Sequence, residues 1–469
     1  MNNNVLCGKK HIHFIGIGGS GMYPLAQILH AQGYYLTGSD NNDTETLQAV
    51  RDMGIPVFLG QRAENIAGAD LIVHTAAIMA DNPELIAAKE SGVPVLERSE
   101  LLGIVTSWFD NAVCVSGTHG KTTTTSMLTQ IFIEQGIDIS AVIGGKLPII
   151  HGSGRVGKSD IIVCEACEFV DTFLKLYPDI SIILNIDADH LDYFKTLDNI
   201  IKSFRRFAEN TTKAIFVNGD DSNSLKAVDN LNNKNVKIIT FGNTSKNNWY
   251  PNNVKYVNGM KTEFSLMNDG NKVCDITINI PGKHNVLNAV AAAAAALYAG
   301  ASPDGVKKGL EDFRGAGRRF EKYGEVNGVT VVDDYAHHPA ELTVTLKAAM
   351  EMGYKTVWAV FQPFTFSRTA MLLDDFAKAL SIPDRVVLTS IMGSREKNTY
   401  NIYSRDLGCR IDGCVYFDEE DHDKNFELVT DYICQNVKSG DLVITLGCGD
   451  VYKAAKNILK KLNNIKEDN

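Results

Sequence analysis

The sequence predicts an α/β protein of three domains, and three observations predict it: a length of 469 residues, apolar runs alternating with helical stretches along the chain, and two glycine-rich turns placed between a strand and a helix. At about 150 residues per domain this length asks for roughly three cores. The composition, 44% hydrophobic and 22% charged with 39 Gly and 12 Pro, is that of an ordinary globular chain, not a disordered or collagen-like one. The predicted segments are residues 1–107, Rossmann-like; residues 108–314, an α/β domain around a phosphate-loop-like turn; and residues 315–469, again Rossmann-like.

In the first segment "HIHFIGI", "YYLTGS", "DLIVHTA" and "VPVLE" alternate with helical stretches such as "SGMYPLAQILHAQG", a βαβ pattern. "HFIGIGGSGM" sets Gly16, Gly18 and Gly21 in G-x-G-x-x-G spacing, with Gly19 among them, and Ser39 and Asp40 end the next strand. Glycines there let the backbone approach a diphosphate at a helix N-terminus. The spacing leaves NAD and a UDP-sugar equally open, and a tight packing turn uses the same glycines.

In the second segment the strand "AVCVSG" runs into "GTHGKTTTT". The usual ATPase loop has four residues between its first Gly and the Gly-Lys pair, whereas only Thr118 and His119 separate Gly117 from Gly120. The chemistry is nevertheless complete: backbone N–H groups bind phosphate oxygens, Lys121 neutralises charge between terminal phosphates, and the Thr122 hydroxyl can ligate Mg²⁺, with Thr123 beside it. A run of four threonines is poor helix filler, because β-branched residues lose rotamer freedom in a helix.

The apolar runs "DIIVCE", "DISIILNID" and "KAIFVNGD" read as central parallel strands. Glu165 and His190 (in "NIDADHLD") follow two of them, at the sheet end where ligands of open α/β sheets gather, so both are candidates to reach a phosphate-bound metal. A lone His in such a place is otherwise a structural hydrogen-bonder. Residues 220–282 predict small peripheral antiparallel strands such as "KVCDITINI". In "KHNVLN", Asn285 and Asn288 share a helix face suited to adenine or ribose, although N-capping is the simpler account of Asn285.

The Ala-rich helix closes at Gly300, and "FRGAGRRFE" marks a boundary. Strand-like runs "GVTVVDD", "KTVWAVFQ", "RVVLTS" and "DLVITLG" build the third segment. Arg318 and Arg319 are candidate phosphate clamps, and Asp333 and Asp334 before His337 and His338 resemble the rim of an active site, although charged loops are usually just solvated.

A net charge of -10 argues against a duplex-coating protein. No apolar run reaches the ~20 residues of a membrane span, and "MNNNVLCGKKHIHFIGIGG" does not read as a secretory signal, so the expected location is the cytoplasm. Nine scattered Cys suit free thiols in a reducing compartment. Cys164 and Cys167 form a C-x-x-C with no second ligand pair, which favours incidental thiols over a zinc or redox site.

Taken in order, "HFIGIGGSGM", "GTHGKTTTT", "NIDADHLD", "GKHNVLNAVAA", "GRRFE" and "DDYAHHPAE" resemble the Mur ligase family along essentially the whole chain. The resemblance makes the short phosphate loop a family property. It implies that the first domain binds the UDP of the substrate (Gly16, Gly18, Gly19, Gly21, Ser39, Asp40) and the second, P-loop ATPase-like, binds ATP with Mg²⁺ or Mn²⁺ (Gly117, Thr118, Gly120, Lys121, Thr122, Thr123). The third domain closes over both. By the same resemblance Thr122 serves one metal and Glu165 with His190 a second, Asn285 and Asn288 contact adenine, Arg319 and Asp334 contact ATP, and His338 and Arg368 lie near the muramate or the incoming amino acid. The implied catalytic set is Lys121, Glu165, His190, His338 and Arg368.

The implied chemistry is phosphorylation of the lactyl carboxylate of UDP-N-acetylmuramate by ATP, then attack of the L-alanine amine on the acyl phosphate. Such an enzyme, a monomer or weak homodimer, has no nucleic-acid or membrane partner. Two departures stand out: the family's "EADESD" reads "EACEFVD", and "QPHRYTRT" reads "QPFTFSRT", leaving Arg368 where two Arg are common. Rival expectations are a sister ligase that adds a preformed tripeptide, an NAD-dependent dehydrogenase, and a noncatalytic UDP-sugar sensor.

Overall fold

The computed structural model describes residues 5–76, 78–231, 235–257, 261–394 and 396–467. The chain divides into two compact units: the first runs to Val254 and adds Glu263–Ile278 and Asn285–Phe313, and the second comprises Lys255–Thr262, Asn279–His284 and the chain from Arg314 onward.

The first unit contains a five-stranded sheet of β1 (His11–Ile15), β2 (Tyr35–Asp40), β3 (Val57–Leu59), β4 (Leu71–His74) and β5 (Val95–Glu97) in the order β3-β2-β1-β4-β5. Every pairing is parallel, with Phe14 opposite both Gly38 and Val73. β1 is central and covered on both faces, which is why Ile12, Phe14 and Ile15 are all fully buried. The Tyr23–Ala31 helix that follows the Gly turn starts with Pro24 in its first turn and buries Leu25, Ala26, Ile28 and Leu29.

The same unit holds most of a ten-stranded sheet: β6 (Asn111–Ser116), β7 (Ser140–Leu147), β8 (Gly152–Arg155), β9 (Ile161–Glu165), β10 (Ile180–Ile183), β11 (Ala214–Asn218), β12 (Lys237–Phe241), β13 (Trp249–Val257), β14 (Lys261–Asn268) and β15 (Asn271–Ile278). The order is β15-β14-β13-β12-β11-β10-β6-β9-β7-β8, which sets β10 and β9 on either side of β6, the strand that feeds the Lys121 loop. β13 to β15 extend the sheet edge with eight or nine residues each, longer than the small strands expected, and β12 pairs with β13 in parallel.

The Lys121–Glu134 helix buries Thr124 and Thr125 along with Met127, Leu128, Ile131 and Phe132. Thr125 and Thr129 donate their hydroxyls to the carbonyls one turn back, Lys121 O and Thr125 O (2.8 Å each), so the threonine run is in part core. One hydrophobic cluster continues from Phe14 and Leu25 through Leu101 and Leu102 to Phe173, Leu176 and Ile183, joining the two sheets into one body.

The second unit is built on β16 (Glu321–Val326), β17 (Val329–Asp334), β18 (Val357–Phe361), β19 (Arg385–Leu388), β20 (Val415–Tyr416) and β21 (Leu442–Leu446), ordered β16-β17-β21-β18-β19-β20. Only β16 is antiparallel to its neighbour. Alternate residues feed separate cores, Val332 with Ala359 and Phe361 on one face, Val331 with Val360 and Val443 on the other. β16 and β20 escape the sequence reading because one is charged and half-exposed and the other has two residues. Among the described residues no helix is long and apolar enough to cross a membrane.

Candidate active site

The Gly turn after β1 is held from beneath. Gly16 has φ +84°, and its N–H and that of Ile17 donate to Ser39 O (2.8 and 3.0 Å). Asp40 Oδ2 accepts the Gly18 N–H (3.0 Å), so this acidic residue shapes the turn itself. The Ser39 hydroxyl donates to Glu84 (2.5 Å), whose other oxygen lies 2.8 Å from His13 Nε2; all three side chains are fully buried. Ser39 thus supports the turn through its carbonyl while its hydroxyl belongs to the core.

The second turn is clamped by the end of β10. Asn185 accepts from Thr118 N through its carbonyl (3.0 Å) and from His119 N through its side chain (2.8 Å), and donates to His119 O (3.0 Å). Its place opening "NIDADHLD" was the sequence signal for this role, which the sequence reading did not assign. Gly120 takes the left-handed conformation (φ +86°), and a Cβ there would stand 2.7 Å from Asn288 Oδ1. Asn288 in turn donates to Asn285 Oδ1 (2.9 Å), inside the His284–Tyr298 helix, so both asparagines gather at the loop.

Lys121 Nζ reaches Gly117 O (2.6 Å), Thr118 O (3.1 Å) and Glu168 (2.8 Å). Burial alone would lower its pKa, but the Glu168 carboxylate more than offsets that and the ammonium is stabilised. The Thr122 hydroxyl donates to Glu165 Oε2 (2.9 Å), which also accepts the Gly144 N–H (2.9 Å). His190, at φ +52°, sets its ring at a tilt against Phe169 (centroids 4.7 Å apart) and brings Nε2 to 4.0 Å from Glu168 and 3.8 Å from Asp189. Its acidic neighbours are therefore Glu168 and Asp189.

A cavity of about 370 Å³ is lined by Gly19 and Gly21 of the first turn, by Arg98, and by Gly144, Glu165 and Cys167. The first glycine turn thus shares this space with Glu165, the carboxylate that accepts the Thr122 hydroxyl of the second turn. Arg98, absent from the sequence reading, begins the helix after β5, and its Cδ lies 3.1 Å from where a Gly21 Cβ would be. Cys164 turns its sulfur to Cys114 on β6 (3.2 Å) whereas Cys167 lines the cavity, so the C-x-x-C does not act as a pair.

Among the described residues no three His, Cys, Asp or Glu side chains converge to hold a cation. Thr122 and Glu165, hydrogen-bonded to each other, offer two hard oxygen donors, which suits Mg²⁺, an ion that takes one or two protein oxygens and completes its shell with phosphate and water.

In the second unit Asp334 accepts from Phe320 N (2.7 Å) and Ala336 N (2.8 Å), and burial pushes its pKa up to about 6 although Arg319 opposes the shift. Arg319 lies over the Tyr335 ring (5.4 Å). Arg318 is not available as a phosphate clamp: it binds Asp333 (2.8 Å), Gly449 O (2.8 Å) and Gly447 O (2.5 Å) and sits between the rings of Tyr335 and Tyr452. His338 caps the Pro339–Met350 helix through Ala340 N (3.4 Å). Arg368 keeps Nη1 buried without a hydrogen-bond partner, its charge felt by His337 and Cys448.

A phosphate loop with its lysine, a Thr–Glu oxygen pair, and a diphosphate-type turn that shares a cavity with that Glu define a nucleotide-using α/β enzyme. The chain belongs to the Mur ligase family: residues 11–109 match its "Mur ligase family, catalytic domain" model, 115–296 the "Mur ligase middle domain" and 318–449 the "Mur ligase, glutamate ligase domain". It is 44% identical over 458 residues to the UDP-N-acetylmuramate–L-alanine ligase of Agathobacter rectalis, covering 96% of this chain and 98% of that one. The UDP-N-acetylmuramate–alanine ligase structure from Thermotoga maritima superposes with a TM-score of 0.81 at 26% identity, covering 97% of this chain and 99% of the other. A murein peptide ligase from Psychrobacter arcticus has the same fold, with a TM-score of 0.72 at 24% identity and coverage of 97% and 99%.

Proposed function

We propose that this chain joins L-alanine to the lactyl carboxylate of UDP-N-acetylmuramate, converting ATP to ADP and phosphate, as a cytoplasmic step of cell-wall precursor synthesis. The observation that carries the reading is the single cavity onto which both the first glycine turn and the Glu165 end of β9 open. A diphosphate at the turn after β1 and a triphosphate at the Gly117–Thr122 loop would bring the carboxylate and the terminal phosphate to the same space.

The chain's part is positioning and charge. Loop N–H groups bind phosphate oxygens, and Lys121 meets the charge that gathers on the transferred phosphoryl group. Mg²⁺, held by Thr122 and Glu165, would add further neutralisation of the phosphate oxygens. The carboxylate oxygen attacks the terminal phosphorus, ADP leaves, and the amine of alanine attacks the acyl carbon of the resulting acyl phosphate to expel phosphate. Fixing the reactants in line replaces the need for a covalent nucleophile. Roles for Arg319 and Asp334 toward ATP, and for His338 and Arg368 toward muramate or alanine, belong to the same proposal; Arg368, with a buried guanidinium nitrogen free to donate to a carboxylate, fits it best.

The test is ADP release from Mg²⁺-ATP and UDP-N-acetylmuramate with L-alanine, glycine, L-serine or a tripeptide as acceptor. Alanine-dependent release is expected, and a tripeptide preference would hand the reading to the recycling ligases. Lys121→Ala should abolish turnover, by about 10³-fold or more, while binding of the UDP substrate persists; retained turnover would refute the role of the loop.

A further inference from the structure

We propose that Glu168 is a positioning residue that keeps Lys121 on standby, occupying the ammonium donor that the terminal phosphate of an incoming nucleotide takes over. The proposal rests on the nucleotide reading above. An ammonium has three N–H donors. Two of those on Lys121 go to the loop carbonyls Gly117 O (2.6 Å) and Thr118 O (3.1 Å), and the third faces the Glu168 carboxylate, at 2.8 Å from one oxygen and 3.1 Å from the other. All three are therefore spent inside the protein. The Glu168 side chain is 3% exposed, so water does little to screen the pair. The carboxylate that ends β9 and the one three residues on divide the loop between them: Glu165 takes the Thr122 hydroxyl and Glu168 the Lys121 ammonium.

Three effects then have one sign. A nucleotide must displace Glu168 from Nζ, must place its phosphates beside a buried like charge, and meets a lysine already neutralised. Glu168→Gln keeps the shape and removes the charge, relieving all three, so it should bind nucleotide more tightly. A residue that merely braces the loop, or that ligates the metal, would weaken binding when changed.

The experiment is calorimetric titration of ATP into the full chain without UDP substrate, in EDTA and in Mg²⁺, for the native protein, Glu168→Gln and Glu168→Asp, with KM and kcat alongside. Glu168→Gln should tighten ATP by about five- to tenfold in both media and lower KM for ATP in step. Glu168→Asp, which withdraws the carboxylate by one methylene, should fall between the two, and it carries the test if the Gln variant does not fold. Weaker binding in either variant, or tightening seen only with Mg²⁺, would overturn the proposal. If the native protein bound no ATP, the proposed function would fall with it; if it bound ATP and neither variant tightened, Glu168 alone would be wrong.

Discussion

Replacing Gly120 with Ala probes the phosphate loop at its tightest point. An L-residue in the left-handed region costs about 1–2 kcal/mol, and Gly120 sits there at φ +86°. The new Cβ would stand 2.7 Å from Asn288 Oδ1, inside van der Waals contact, so the amide must withdraw and strain or break its 2.9 Å bond to Asn285, for about 1 kcal/mol more. The total, about 2–3 kcal/mol, lowers the melting temperature of the first unit by roughly 4–10 °C. The same shift moves both asparagines from the loop, so ATP affinity measured by calorimetry should fall several-fold. A variant that melts within about 1 °C of the native protein and binds ATP equally well would refute both the left-handed turn and the Asn288 contact.

In the second unit Arg318→Ala should cost about 3–5 kcal/mol, read as a lower urea midpoint, because it leaves the fully buried Asp333 without its guanidinium. Arg318→Lys should recover little of this, since one ammonium cannot replace a fork that holds a carboxylate and two carbonyls between two rings. Asp334, with its pKa raised to about 6 by burial, holds a proton in the folded chain that the unfolded chain loses near pH 4. Its contribution to stability is thus full below about pH 4 and declines by about 3 kcal/mol as pH rises through 6. Asp334→Asn should remove that slope from a plot of unfolding free energy against pH, and an unchanged slope would place the proton elsewhere.

The fold was legible where periodicity and burial coincide. β6, β9, β10 and β11 are apolar over most of their length because they pair in parallel inside the sheet, and both glycine turns announce themselves by spacing. Glu165, Lys121 and Thr122 could be read for the same reason: they sit where a strand ends and a helix begins. Arg98, Asn185 and Glu168 were harder to assign. Each acts by a contact made across the fold, Arg98 on Gly21, Asn185 on Thr118 and His119, Glu168 on Lys121, and no local pattern encodes a partner 47 to 77 positions away. Arg318 shows the opposite failure: a basic residue in a glycine-rich loop looks like a phosphate clamp until its three acceptors and two rings are seen to be protein.

The central claim is that ATP activates the muramate carboxylate before the amine attacks. It is tested most directly with UDP-N-acetylmuramate carrying ¹⁸O in both lactyl carboxylate oxygens, turned over with Mg²⁺-ATP and L-alanine in ordinary water. Each phosphate released should carry one ¹⁸O, taken from the carboxylate through the acyl phosphate, and the new amide should keep the other. Unlabelled phosphate beside the amide product would contradict the account.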